Sequence, residues 1–138
     1  MSQKMSKNSS KKIKTVHLLI VDDEEGFTTI LEKRLSKRGI VATKANSGTK
    51  ALQIIRNNEF DCALVDLKME DMSGIEVLKI FRKMVPELPV IMLTGHGCEE
   101  SAEEGLALGA DAYLIKPCSL EDLIEEIHNA IFNSERNK

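Results

Sequence analysis

Short aliphatic runs alternate with helical periods from Val16 to the end of the chain, and this alternation limits the folds available. The runs are HLLIV, IVATKA, CALV, VIML and AYLI. Between them, apolar residues recur at the three- and four-residue spacing of an amphipathic helix. Gly39 and Gly109 are placed to end two of these helices. Strands that are nearly all apolar indicate a parallel sheet covered by helices on both faces.

The length and composition indicate one globular domain. The chain has 138 residues, which fits a single core and leaves little for a second. No apolar run approaches the roughly 20 residues of a membrane helix. The three cysteines are odd in number and far apart, so they match neither a disulfide framework nor a zinc site. We therefore expect a cytoplasmic protein without a membrane partner.

Charge is distributed unevenly along the chain. Residues 1–15 contain five lysines and no acidic residue. Beyond them, 14 basic residues face 22 acidic ones, a net charge of −8. An acidic body argues against nucleic acid as a direct partner. We predict a basic, disordered tail at 1–15, a folded domain at 16–132 and a short C-terminal tail at 133–138.

Four of the five apolar runs end in a polar residue of a type used in catalysis. These residues are Asp22 with Asp23, Asp66, Thr94 and Lys116. One strand-end carboxylate could simply cap the next helix. Ligands of open parallel sheets, however, bind outside the carboxyl ends of the strands. The coincidence of four such ends therefore predicts one shared crevice.

These residue types together indicate phosphoryl chemistry. Three crowded carboxylates repel one another unless a cation joins them, and an all-oxygen cluster suits Mg2+. Mg2+ can bridge a carboxylate and a phosphoryl oxygen. Lys116 would add a second positive charge, and Thr94 a hydroxyl donor. Asp66 would be the nucleophile, because a carboxylate forms a reactive acyl phosphate.

With these residues assembled, the sequence resembles the receiver domain of bacterial two-component response regulators. The resemblance covers roughly Val16 to Phe132 and includes VDDEE, DLKMEDMSG, LTGHG and ADAYLIKP. It implies that a histidine kinase or phosphotransfer protein phosphorylates Asp66 in a Mg2+-dependent reaction. The protein would catalyse its own phosphorylation and dephosphorylation without being an enzyme in the usual sense. We expect a doubly wound, flavodoxin-like sheet of five parallel strands in the order 2-1-3-4-5.

The resemblance also implies roles for individual residues around the phosphorylated aspartate. Asp23 would bind the metal directly, and Asp22 would act largely through water. Asp66 and the backbone carbonyl of Lys68 would complete the protein's metal ligands. Thr94 and Tyr113 would form the coupled switch pair.

Two side chains near this site have no fixed role in the pattern. Lys68 brings a cation two residues past Asp66, and we predict that it tunes the lifetime of the phosphorylated state. His96 either faces the same pocket mouth or is a solvated loop residue. The Lys116–Pro117 bond is predicted to be cis, because the chain must turn sharply there while directing Lys116 at the pocket, and the resemblance points the same way.

Three alternatives remain to be weighed. Only seven residues follow Ile131, too few for a linker and an output domain. We therefore expect signalling through protein contacts or a phosphoryl relay. The alternative is that the sequence is a receiver fragment of a longer DNA-binding regulator. A phosphohydrolase of the haloacid dehalogenase type is disfavoured, because that chemistry wants a carboxylate where Lys68 stands. A phosphorylation-independent interaction module is disfavoured because every required residue is present.

Overall fold

The computed structural model describes residues 15–136 of the chain. Within this range there are five strands: β1 (Val16–Val21), β2 (Ile40–Ala45), β3 (Cys62–Val65), β4 (Val90–Thr94) and β5 (Ala112–Ile115). They form one parallel sheet in the order β2-β1-β3-β4-β5. The predicted fold class and strand order are therefore confirmed.

A helix follows each strand, and the helices cover both faces of the sheet. Successive side chains of a strand point to opposite faces. Leu19 and Val21 of β1 accordingly pack in one core, and Leu18 and Ile20 in the other. The helices are α1 (Glu25–Ser36), α2 (Gly48–Asn57), α3 (Gly74–Met84), α4 (Glu99–Ala107) and α5 (Leu120–Arg136). Helices α2 and α3 pack in the core that contains Leu19 and Val21, and α1 and α5 pack in the core that contains Leu18 and Ile20.

Two glycines end helices as the sequence predicts. Gly39 and Gly109 have φ angles of 80° and 103°. This left-handed backbone is strained for residues that carry a Cβ, so glycine is the residue best suited to it. The chain can then reverse directly into β2 and β5.

The C-terminal boundary of the folded domain lies later than predicted. Residues 133–136, assigned to a tail, form the last turn of α5. The Ser134 hydroxyl donates a hydrogen bond of 3.1 Å to the Glu87 carbonyl, which holds this turn against the α3–β4 loop. Residues 1–14 of the predicted basic tail, and residues 137–138, lie outside the described part of the chain.

None of the helices between residues 15 and 136 combines the length and the apolar character needed to cross a bilayer.

Candidate functional site

The sheet places the predicted site residues on neighbouring strands at one edge. Parallel hydrogen bonding continues one residue past β1 and β3. The Asp22 N–H donates to the Ala45 carbonyl at 3.0 Å, and the Asp66 N–H donates to the Val21 carbonyl at 2.9 Å. Beyond β5, the Lys116 N–H donates to the backbone carbonyl of Thr94 at 2.8 Å. These bonds extend the rigid sheet to the functional side chains themselves.

Three carboxylates meet at this edge. Asp22, Asp23 and Asp66 each offer one oxygen, and the three oxygens lie within 4.8 Å of one another. Both oxygens of Asp22 accept hydrogen bonds, one from the Glu24 N–H at 2.9 Å and one from Lys116. By contrast, Oδ1 of the buried Asp66 has no hydrogen-bond partner within residues 15–136.

A cation suits this arrangement. A buried carboxylate oxygen without a partner loses its hydration and gains nothing in return. A divalent cation would supply the missing interaction and reduce the repulsion among the carboxylates. Because all the donors are hard oxygens, the cluster fits Mg2+ or a similar ion better than a softer metal.

Lys116 reaches into the cluster from the loop after β5. Its Nζ lies 2.7 Å from Asp22 Oδ2 and 2.8 Å from Glu24 Oε1. It also lies 4.1 Å from the centroid of the Phe27 ring, which adds a cation–π contact. The Lys116–Pro117 peptide bond is cis, as predicted.

The pKa values of these groups follow from burial and from their pairing. Burial alone would lower the pKa of Lys116, but its hydrogen bonds to Asp22 and Glu24 raise it above the ordinary value. Burial raises the pKa of Asp22, against the opposing hydrogen bond from Lys116. The hydrogen bond from Lys116 lowers the pKa of Glu24. The ion pairs therefore hold Lys116 in its charged form.

Glu24 is a member of the site that the sequence alone did not single out. Its side chain is 61% exposed but binds the lysine directly. The only available signal was its place in the acidic run VDDEE. That run shows that acids are concentrated after β1 without showing which of them reaches Lys116.

Thr94 and Tyr113 lie on adjacent strands, but in this structure their hydroxyl groups have separate partners. Thr94 is fully buried, and its Oγ1 accepts a hydrogen bond of 3.0 Å from the His96 N–H. The Tyr113 hydroxyl lies 2.6 Å from Ser101 Oγ in α4. Gly97 leaves room for this ring, since a Cβ there would lie 2.6 Å from the hydroxyl oxygen.

Lys68 and His96 line the same cleft. This cleft has a volume of about 550 Å³ and lies between the β3–α3 and β4–α4 loops. The structure thus brings both side chains to one cleft, between the loops that follow Asp66 and Thr94. A larger cavity of about 710 Å³ is lined by the α2–β3 and α3–β4 loops and by none of these site residues.

Residues 18–128 match the sequence profile of the response regulator receiver domain family. Among curated proteins, transcriptional regulatory protein ZraR of Escherichia coli (strain K12) is 37% identical over 116 residues. The match covers 84% of this chain and 26% of ZraR. The chain thus spans about a quarter of the length of that regulator.

Solved structures agree in both fold and sequence. A CheY-like receiver domain protein from Methanospirillum hungatei JF-1 has a TM-score of 0.86 at 33% identity. That alignment covers 91% of this chain and all of the other. The beryllofluoride-activated NtrC4 receiver domain dimer has a TM-score of 0.81 at 30% identity, covering 86% of this chain and 98% of the other. The chain therefore belongs to the receiver domain family of two-component response regulators.

Proposed function

We propose that this receiver domain is a phosphoryl-accepting signalling switch whose phosphorylated residue is Asp66. A histidine kinase or phosphotransfer protein would be the donor. The observation that carries the proposal is the buried Asp66 carboxylate, whose Oδ1 has no partner in the described chain although two other carboxylates lie beside it and Lys116 pairs with one of them. The Asp66 carboxylate would give one oxygen to a metal ion and form the bond to phosphorus with the other.

The chain's own donors fit the Mg2+ that this family would use. The carboxylates of Asp22, Asp23 and Asp66 would hold the ion together with the backbone carbonyl of Lys68. When bound, Mg2+ would offset the charge that develops on the phosphoryl oxygens. Asp22 already accepts two hydrogen bonds, which supports a more indirect role for it than for the other two carboxylates.

The transfer itself is a displacement at phosphorus. A carboxylate oxygen of Asp66 forms the new bond to phosphorus, while the bond from phosphorus to the donor histidine nitrogen breaks and its electrons stay on the imidazole. The Lys116 ammonium group would exchange part of its hydrogen bonding to Asp22 and Glu24 for a hydrogen bond to a phosphoryl oxygen. This movement is short, because its ammonium group already lies inside the cluster.

Thr94 is suited to detect the phosphoryl group. Its oxygen accepts a hydrogen bond from the His96 N–H, so its own proton remains available to donate. Thr94 would donate it to the phosphoryl oxygen, and the loop after β4 would follow. Tyr113, now bonded to Ser101, would change its position in response.

The phosphorylated protein would signal by binding an output protein or by passing the phosphoryl group on in a relay. The curated relatives favour a second form of output. They are longer transcriptional regulators, and the chain matches only 26% of ZraR. Control of an attached or associated DNA-binding region is therefore the alternative. In both cases phosphorylation of Asp66 would be the signal, and only the output region that responds to it would differ.

Phosphorylation by acetyl phosphate tests the assignment. With Mg2+ present, the parent protein should gain one phosphoryl group by intact mass, and EDTA should prevent this. Asp66→Asn should abolish the gain, whereas Asp61→Asn, which changes an aspartate outside the cluster, should not. Equal labelling of Asp66→Asn and the parent would falsify the assignment of Asp66.

A further inference from the structure

Asp71, five residues after Asp66, binds a helix outside its own loop. Its Oδ1 accepts a hydrogen bond of 3.0 Å from the Gly48 N–H. Its Oδ2 accepts one of 2.8 Å from the Thr49 N–H and another of 2.8 Å from the Thr49 hydroxyl. These are the first two N–H groups of α2, which no helical carbonyl can satisfy. One carboxylate therefore joins the β3–α3 loop to α2 by three bonds.

Close packing reinforces this junction. Gly48 lies so near the Met72 side chain that a Cβ at position 48 would overlap the Met72 Cγ and lie 2.7 Å from its sulfur. Met72 follows Asp71 directly, so the carboxylate and the thioether dock on the same turn of α2. The contact thus requires both a hydrogen-bonding side chain in the loop and a glycine in the helix.

The same loop is fixed at both of its ends. The Gly74 N–H donates to the Leu67 carbonyl at 2.7 Å. Gly74 also packs against the carbonyl of Asp66 so closely that a Cβ there would overlap it. Lys68 lies along the chain between Leu67, which is bonded to Gly74, and Asp71, which is bonded to α2. Its backbone position is therefore set jointly by β3, α3 and α2.

We infer that Asp71 is a positioning residue for cation binding. By docking the loop on α2, it holds the Lys68 carbonyl in place for the ion before the ion arrives. This inference rests on the proposed function, because it assumes that the cluster around Asp66 binds Mg2+. Asp71 itself would not touch the ion.

The alternative is that Asp71 merely caps α2. That helix already has a cap of its own, since the Ser47 hydroxyl accepts a hydrogen bond of 3.0 Å from the Lys50 N–H. Removal of either cap should weaken the helix. Only the loss of Asp71 should release the loop. Ser47→Ala is therefore the matched control for a purely structural role.

The test is a Mg2+ titration followed by NMR amide shifts, with unfolding midpoints measured on the same proteins. We expect Asp71→Asn to weaken Mg2+ binding at least threefold and to speed hydrogen exchange at the Gly48 and Thr49 amides without metal. Ser47→Ala should lower the unfolding midpoint while leaving Mg2+ affinity at the parent value. Glu70→Gln removes an exposed charge from the same loop and should also bind Mg2+ as the parent does.

Thr49→Ala gives a second test that changes no charge and removes one of the three bonds. It should weaken Mg2+ binding in the same direction as Asp71→Asn, and it carries the test if that variant does not fold. Parent affinity in both Asp71→Asn and Thr49→Ala would overturn the inference, as would equal weakening by Glu70→Gln. Failure of the proposed function looks different, because then Asp66→Asn would bind Mg2+ as well as the parent does.

Discussion

Glu24→Gln is expected to speed the phosphorylation of Asp66 by a small phosphodonor. In the structure Lys116 shares its charge between Asp22 and Glu24, at 2.7 and 2.8 Å. To contact a phosphoryl oxygen, the ammonium group must give up part of this pairing. A glutamine at position 24 keeps the side chain's shape but holds the ammonium less strongly.

The expected increase in the phosphorylation rate can be estimated from the solvent exposure of the Glu24 side chain. The Glu24 side chain is 61% exposed, whereas that of Asp22 is 3% exposed. An ion pair with one partner so exposed is worth about 0.2–1 kcal/mol. If all of it is lost in reaching the transition state, Glu24→Gln should raise the rate about 1.4- to 5-fold. The Asp22 contact remains, so Lys116 stays directed at the cluster.

The assay is the initial rate of phosphorylation by acetyl phosphate at saturating Mg2+. Glu25→Gln is the control, because it removes the same charge one residue further along. Glu25 contacts the Asn46 amide at 3.5 Å, and no contact with Lys116 is found for it in the described chain. If repulsion of the anionic donor were the cause, both variants would accelerate equally. Equal rates in the two variants, or a slower rate in Glu24→Gln, would refute the reasoning.

Three further variants test other parts of the site. Lys68→Ala should shorten the phosphorylated lifetime several-fold without changing Mg2+ affinity, since the backbone carbonyl is retained; an unchanged dephosphorylation rate would make Lys68 an ordinary surface residue. Thr94→Ala should still be phosphorylated, but it loses the proposed hydrogen bond from the Thr94 hydroxyl to the phosphoryl oxygen, worth about 1.5–3 kcal/mol. The NMR shifts that beryllofluoride, a mimic of the phosphoryl group, produces around Tyr113 should therefore be smaller. Full-sized shifts would contradict the coupling of Thr94 to Tyr113. Asp71→Asn should flatten the acid dependence of stability, because hydrogen bonds from Thr49 lower the pKa of Asp71 from 3.8 to about 2. With the folded pKa below the unfolded one, this stabilisation is present above about pH 4 and is lost as the pH falls towards 2. Because Asp71 is exposed, we expect its contribution to the free energy of unfolding, measured with urea, to be about 1 kcal/mol.

The sheet and the placement of most site residues could be predicted because both depend on burial. Runs that are mostly apolar indicate the strands of a covered sheet, and the carboxyl ends of parallel strands necessarily meet at one edge. Asp22, Asp66, Thr94 and Lys116 are therefore located by the pattern before any side-chain geometry is known.

The side-chain partners could not be predicted in the same way. The pairing of Lys116 with Glu24, the bond between Tyr113 and Ser101, and the docking of Asp71 on α2 depend on rotamers and on distances between elements. Hydrophobic periodicity does not record either. The last turn of α5 was missed for a related reason: the polar sequence after Phe132 resembles a tail, and its contact with the α3–β4 loop is tertiary.

The anchoring of the β3–α3 loop has a consequence for exchanging segments between proteins. Seven residues, 67–73, connect Asp66 to Gly74, and Asp71 must meet α2 partway along. Adding or removing one residue before Asp71 would displace its carboxylate from the helix, whatever the new residue was. A loop grafted from another protein should therefore be accepted when it has the same number of residues and an aspartate at the same step. A graft that differs in length should fail even if its composition is closer to the original.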